Sequence, residues 1–194
     1  MTFTAYLAPS DFVPELLQEL KALGGVEMAR ERLVLASGPP RAAAWAQNVW
    51  LEPSWIPVAS IGQAVKALKA LGRNWVLYSL GEHRRAALIQ EQLPPVSARP
   101  LRFGDPAPSA PLGSWTLWER GLLLASPRCS SPFMHGEARF VEDKTGPPNR
   151  AYLKLWEAFT LLGERPGPGD LCLDLGSAPG GWTWVLASLG ARVI

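Results

Sequence analysis

The residues best suited to chemistry lie close to the C-terminal end, where Asp174, Leu175, Gly176, Ser177, Ala178, Pro179, Gly180, Gly181 and Trp182 follow one another. Glycine or alanine at 176, 178, 180 and 181 leaves the main chain bare, so a ligand can lie directly against peptide atoms. A dinucleotide loop reads Gly-x-Gly-x-x-Gly, and its second glycine opens backbone amides to a pyrophosphate. Ala178 and Pro179 occupy that stretch here, proline has no amide to donate, and no lysine follows to make a P-loop. Phosphate cradling is therefore the weaker reading, and a nicotinamide-dependent enzyme with an unusual loop is kept as a competing one. Asp174, at the end of the preceding apolar run, places a carboxylate beside the loop and suits a ligand carrying a cationic amine. Lys154, upstream, is the other candidate. Taken alone, a lysine on a helix is more often a solvated surface residue.

These side chains need elements to hold them. Leu171 to Leu175 is a short apolar run between Pro166-Gly167-Pro168-Gly169-Asp170 and Gly176, the form a buried parallel strand takes in sequence. Trp182 to Leu189 is helical in pattern and ends at Gly190. Strand, glycine-rich turn and helix make the first βα unit of an open α/β sheet, in which ligands bind outside the carboxyl ends of the strands. Lys154 falls in a predicted helix from Asn149 to Leu162, with Leu153, Trp156, Phe159 and Leu162 on its apolar face. Pro147-Pro148 opens that helix and Gly163 closes it.

The string Asp174 to Trp182 resembles the first cofactor motif of the FtsJ/RrmJ-type methyltransferases, most specifically through Ala178-Pro179-Gly180-Gly181-Trp182. Upstream, Ser131-Pro132-Phe133 with Gly136, and then Asn149-Arg150-Ala151-Tyr152-Leu153-Lys154-Leu155-Trp156-Glu157-Ala158-Phe159, resemble the lead-in of the RlmM group. That group 2′-O-methylates a cytidine of large-subunit ribosomal RNA. The resemblance covers about residues 131–194 and implies S-adenosyl-L-methionine as cofactor, with Asp174, Gly176, Ser177, Ala178, Pro179, Gly180, Gly181 and Trp182 binding it and no metal. It implies that Lys154 is the first member of a Lys-Asp-Lys-Glu catalytic set. The remaining members, and the acid that holds the cofactor ribose, would lie beyond Ile194, and residue 151 is alanine where RlmM members can carry serine. The expected Rossmann-like class I domain is thus cut after its first βα unit, and the 194-residue segment alone is expected to be inactive. Ribosomal RNA, before or during assembly of the large subunit, is the implied partner. A catalytically inactive RNA-binding fragment is the alternative. An open strand edge and a bare apolar face further predict self-association.

Earlier in the chain, Thr2 to Ala8 reads as a strand, Phe12, Leu16, Leu20 and Leu23 as a helix stopped by Gly24-Gly25, and Val26 to Ala29 and Arg32 to Ala36 as two strands. Ser60 to Gln63 has capping-box form and starts a helix to Gly72, followed by a strand from Asn74 to Leu80. This order matches the split β-α-β pattern of ferredoxin-like domains, which the RlmM resemblance also implies as an RNA-binding region. Residues 41–57 read as irregular. A short helix from Arg84 to Leu93, a proline-rich stretch from Arg99 to Leu112, and a hairpin of Ser114 to Trp118 with Leu122 to Ala125 follow. The expected fold is α/β with an α+β N-terminal part: a ferredoxin-like domain at 1–95, linker and hairpin at 96–130, and the methyltransferase domain at 131–194.

Composition agrees with a folded chain: 47% of the residues are hydrophobic and the net charge is +2, so no basic tail announces nucleic acid. Arg128, Arg139, Lys144, Arg150 and Lys154 form a candidate basic track, interrupted by Glu137, Glu142, Asp143 and Glu157. The tryptophans at 45, 50, 55, 75, 115, 118 and 156 suit either base stacking or packing, and packing is favoured for most. His83 and His135 have no partner spacing. Cys129 and Cys172 lack CxxC spacing and read as reduced structural residues. Thr2-Phe3-Thr4 gives no leader pattern, and no apolar run approaches the roughly 18 residues of a membrane span, so a cytoplasmic location is expected.

Overall fold

Alternation of apolar residues puts Ala5 and Leu7 on one face of strand β1 (Phe3–Leu7) and Tyr6 on the other, and both faces are buried. That two-sided burial organises the first of two units in the computed structural model, which describes residues 2–194. The first unit is Met1–Ala98 with Ser109–Glu137, and the second is Arg99–Pro108 with Ala138–Ile194.

In the first unit, β2 (Val26–Arg30), β3 (Leu33–Ser37) and β4 (Asn48–Trp50) join β1 in a sheet of order β2-β3-β1-β4, with antiparallel neighbours throughout. Helix α1 (Val13–Leu23), with Leu16 and Leu20 buried, covers the Tyr6, Val34 and Ala36 face. A second sheet of order β5-β8-β7-β6 contains β5 (Ser54–Pro57), β6 (Trp75–Leu77), β7 (Gly113–Glu119) and β8 (Leu122–Ser126). Helices α2 (Ile61–Leu71) and α3 (His83–Gln90) cover its Trp75, Trp115, Leu117 and Leu123 face. Ala5, Leu7, Leu33, Leu35 and Trp50 pack against Leu124 and Leu80 between the sheets. The unit therefore has four layers, helix, sheet, sheet and helices, each strand face burying apolar area worth roughly 25 cal/mol per Å².

Local signals place most of these elements. Ser60 caps α2, its Oγ accepting from the Gln63 amide at 3.2 Å, while Gln63 reaches back to the Ala59 amide at 2.8 Å, one residue before the amide a capping box uses. Gly24, at φ 145°, ends α1. The sheet membership differs from the expectation of one ferredoxin-like sheet over residues 2–80. The place beside β1 is taken by β4, from the stretch read as irregular, and β6 pairs in parallel with β7 in the second sheet. Gly113 allows that pairing, because a Cβ there would come within 2.8 Å of the Trp75 ring. The hairpin of 114–125, expected beside a linker, supplies the two central strands of the second sheet. Trp50, Trp75 and Trp115 are fully buried, and Trp45 lies exposed in a stack with Phe12.

The second unit holds α4 (Tyr152–Leu162), β9 (Leu171–Cys172), α5 (Gly181–Ser188) and β10 (Arg192–Val193), with β9 and β10 parallel. Its core is Phe140, Tyr152, Trp156 and Val185. Part of the proline-rich stretch belongs here too: Leu101 bridges to Phe140, and Phe103 stacks on Trp156 at 4.7 Å. The run Leu171 to Leu175, expected as a buried strand, is only partly so. The strand itself is only Leu171–Cys172, Leu175 already lies in the turn that follows, and Leu171, Leu173 and Leu175 are 64%, 65% and 83% exposed. No helix among the described residues is long and apolar enough to cross a membrane.

Candidate functional site

The loop from Asp174 to Gly181 leaves the carboxyl end of β9 and enters α5. Parallel pairing extends past the formal strand, since the Asp174 amide donates to the Ile194 carbonyl at 3.0 Å. Gly176 and Gly180 have φ of 74° and 94°, a left-handed region that favours glycine. The Ala178-Pro179 peptide is cis, and the Gly180 amide donates to the Ser177 carbonyl, folding the loop back on itself.

The loop is open on its outer side. Leu175, Gly176, Ser177, Ala178 and Pro179 are exposed, and a Cβ at Gly176 would meet nothing within 4 Å. Gly181 differs from that picture. It is buried, and a Cβ there would sit 2.4 Å from Asn149 Oδ1, so its bare backbone receives the protein's own asparagine. Close approach by a ligand, the expected reason for a glycine at 181, is replaced by internal packing.

Asp174 is half-buried, and its Oδ2 accepts a hydrogen bond from the Thr183 hydroxyl at 2.6 Å. Thr183 thus orients the carboxylate, a role the sequence reading did not assign, although a hydroxyl one turn into the helix after a strand-end acid is a readable signal. Trp182 is half-exposed, and its indole N–H donates to the Ala151 carbonyl at 2.9 Å. The same carbonyl accepts the Lys154 amide at 3.1 Å. One oxygen at the start of α4 therefore ties the first turn of α5 to the backbone of Lys154.

Asn149 holds that junction from below, its Oδ1 accepting from the Ala151 amide at 2.7 Å. Just before it, Asp143 accepts from the amides of Thr145 and Gly146, which hold its carboxyl below the ordinary carboxylate range. Tyr152 donates from its hydroxyl to the Asp143 carbonyl at 3.1 Å, and the Tyr152 ring meets Trp184 edge-on. These contacts lock the Asp143–Asn149 turn, α4 and α5 into one piece.

Lys154 is exposed and lines a cleft of about 340 Å³ with Pro100, Phe140, Arg150, Leu153 and Glu157 among its walls. Residues 174–182 do not line that cleft. The structure joins the two halves of the predicted site through backbone and Trp182, while the Lys154 side chain faces its own recess. Of the candidate basic track, Arg150 pairs with Glu142 at 2.6 Å and Arg128 with Glu52 at 3.1 Å. Among the described residues no group of three or more His, Cys, Asp or Glu side chains is arranged to hold a metal ion.

The sequence model of the FtsJ-like methyltransferase family matches residues 147–194, the span that contains α4, the loop and α5. A ribosomal RNA large subunit methyltransferase M of Halorhodospira halophila is 53% identical over 49 residues, 24% of this chain and 14% of that protein. Another of the same name, from Laribacter hongkongensis, is 41% identical over 76 residues, 36% of this chain and 21% of that protein. The matched region thus spans about a fifth or less of these relatives' own length. The crystal structure of TrmN from Thermus thermophilus aligns with 98% of this chain and 64% of its own at 18% identity, with a TM-score of 0.43, below that of a shared fold. The loop geometry and the sequence match coincide on the same residues: the segment 147–194, which holds the open loop, is the part of the chain similar to the FtsJ-like methyltransferase family.

Proposed function

We propose that this chain is part of an S-adenosylmethionine-dependent methyltransferase acting on a ribose 2′-hydroxyl of large-subunit ribosomal RNA. The observation that carries the reading is the open, side-chain-poor loop Gly176 to Gly180 at the carboxyl end of β9, within a segment matched to the FtsJ-like family. The residues present fit the cofactor: free space over Gly176 accommodates a ligand against bare peptide, and Asp174, oriented by Thr183, offers a carboxylate to a cationic amine. Bound there, S-adenosylmethionine supplies a methyl group on a sulfonium. Ser177, Ala178, Pro179 and Gly180 shape the rest of the cradle, Gly181 and Trp182 seat it on α4 and α5, and Lys154 presents an ammonium to hold the substrate oxygen.

The same reading divides the chain by role. The unit of Arg99–Pro108 with Ala138–Ile194 carries the methyl-transfer site in place of a domain bounded at 131, and the other unit serves RNA binding. The order β2-β3-β1-β4 with antiparallel neighbours supports a ferredoxin-like first sheet, with the 38–47 connection standing where a second helix would be. A cytoplasmic location and ribosomal RNA met before or during subunit assembly belong to this reading.

Isothermal titration of the 194-residue chain tests it. S-adenosylmethionine is expected to bind and NAD not to, and Asp174→Ala is expected to weaken the first about tenfold through loss of a charge-assisted contact. Binding of NAD, or heat absent with S-adenosylmethionine, overturns the assignment.

A further inference from the structure

The recess beside Lys154 has an anatomy of its own. Lys154 and Glu157 are three residues apart on α4 and so lie on one face of the helix. Both line the cleft, together with the apolar walls Pro100, Phe140 and Leu153 and with Arg150, whose guanidinium is paired at 2.6 Å with Glu142, a second carboxylate of the cleft. The far wall is a chain pairing: the Leu101 amide donates to the Arg139 carbonyl and the Val141 amide to the Leu101 carbonyl, each at 2.8 Å. A volume of about 340 Å³ is at the small end for ligand clefts and suits a single nucleotide.

Glu157 is the unusual member. It is half-buried, accepts a hydrogen bond from the Ala138 amide, and burial holds its carboxyl above the ordinary glutamate range. A carboxylate has about four acceptor positions, and one amide uses one of them. An acceptor set beside an aromatic ring, a proline and the Arg150–Glu142 pair matches the parts of a nucleotide: an apolar wall for the base, the remaining guanidinium N–H groups of Arg150 for phosphate, and an acceptor for an exocyclic amine.

Resting on the methyltransferase reading, we propose that this cleft holds one RNA nucleotide and that Glu157 is a specificity-determining residue, accepting from the exocyclic amine of its base. Cytosine presents an amine where uracil presents a carbonyl oxygen, so a carboxylate attracts the first and repels the second. Glutamine at 157 changes the sign. Its carbonyl oxygen keeps the Ala138 amide and its NH₂ becomes a donor toward the base, which favours uracil.

Fluorescence anisotropy with labelled oligocytidylate and oligouridylate of equal length reads this on the 194-residue chain and on Glu157→Gln, with S-adenosylmethionine titrated into both proteins. The wild type is expected to favour oligocytidylate about tenfold, and Glu157→Gln to lose or reverse that preference. Equal binding of the two oligomers by the wild type, no binding of either, or a preference unchanged in Glu157→Gln overturns the inference, and bound S-adenosylmethionine then leaves the methyltransferase reading standing. A preference that reverses in protein that does not bind S-adenosylmethionine supports the base-reading cleft and overturns the reading on which it was built.

Discussion

At the scale of single residues, the glycines of the loop answer to different constraints. Gly176 and Gly180 are set by backbone conformation, whereas Gly181 is set by Asn149, whose Oδ1 occupies the place of a side chain at 2.4 Å. Gly181→Ala is therefore expected to lower stability by about 1–3 kcal/mol, as overpacking does. In an Asn149→Ala background the same change is expected to cost less, since the colliding atom is gone. Urea midpoints of the four proteins measure the coupling, and additive costs would refute the contact. Cys129 makes a second residue-scale case. Its thiol donates to Ser114 Oγ at 3.3 Å, and burial pushes its pKa from 9.0 up to about 11. Between those values the unfolded chain releases the proton that the folded chain retains, so stability falls as pH rises through that window, by up to about 3 kcal/mol. Denaturation midpoints at pH 8.5 and about pH 11 are expected to differ less in Cys129→Ala than in the parent.

At the scale of elements, helix ends were the most legible features. Ser60 with Gln63, and Gly24 after Leu23, mark α2 and α1 because orphan amides and carbonyls at helix ends must find partners within a few residues. Ser60→Ala is expected to cost about 1 kcal/mol, visible as a lowered melting temperature, and an unchanged value would show that water replaces the cap at no cost. Strands were less legible. β4 and β5 are 3 and 4 residues long, too short for alternation to register, and β5 ends in Pro57, tolerated because β5 is an edge strand. The segment around Leu101 and Phe103 reads as a linker by its prolines, yet its two apolar side chains pack in the second unit's core.

At the scale of the whole chain, Leu171, Leu173, Leu175 and Ile194 are large apolar side chains left exposed around the β9–β10 pair. Concentration-dependent self-association of the 194-residue polypeptide is expected, relieved by Leu173→Lys, and sedimentation as a monomer at high concentration would count against it. The candidate site was legible as a string, since strand, bare turn and helix are consecutive and their chemistry is local. Its bare glycine-rich turn, the capping residues and the helix faces were determined by the sequence alone, because each depends on neighbours within a turn or two. Which strands share a sheet was not. Trp75 pairs beside Gly113 and Asn48 beside Leu7, choices made by side-chain volumes brought together from distant parts of the chain. For the same reason only the tertiary structure revealed that Glu157, an interruption in a basic track when read in line, lies in a recess with Lys154 and Phe140.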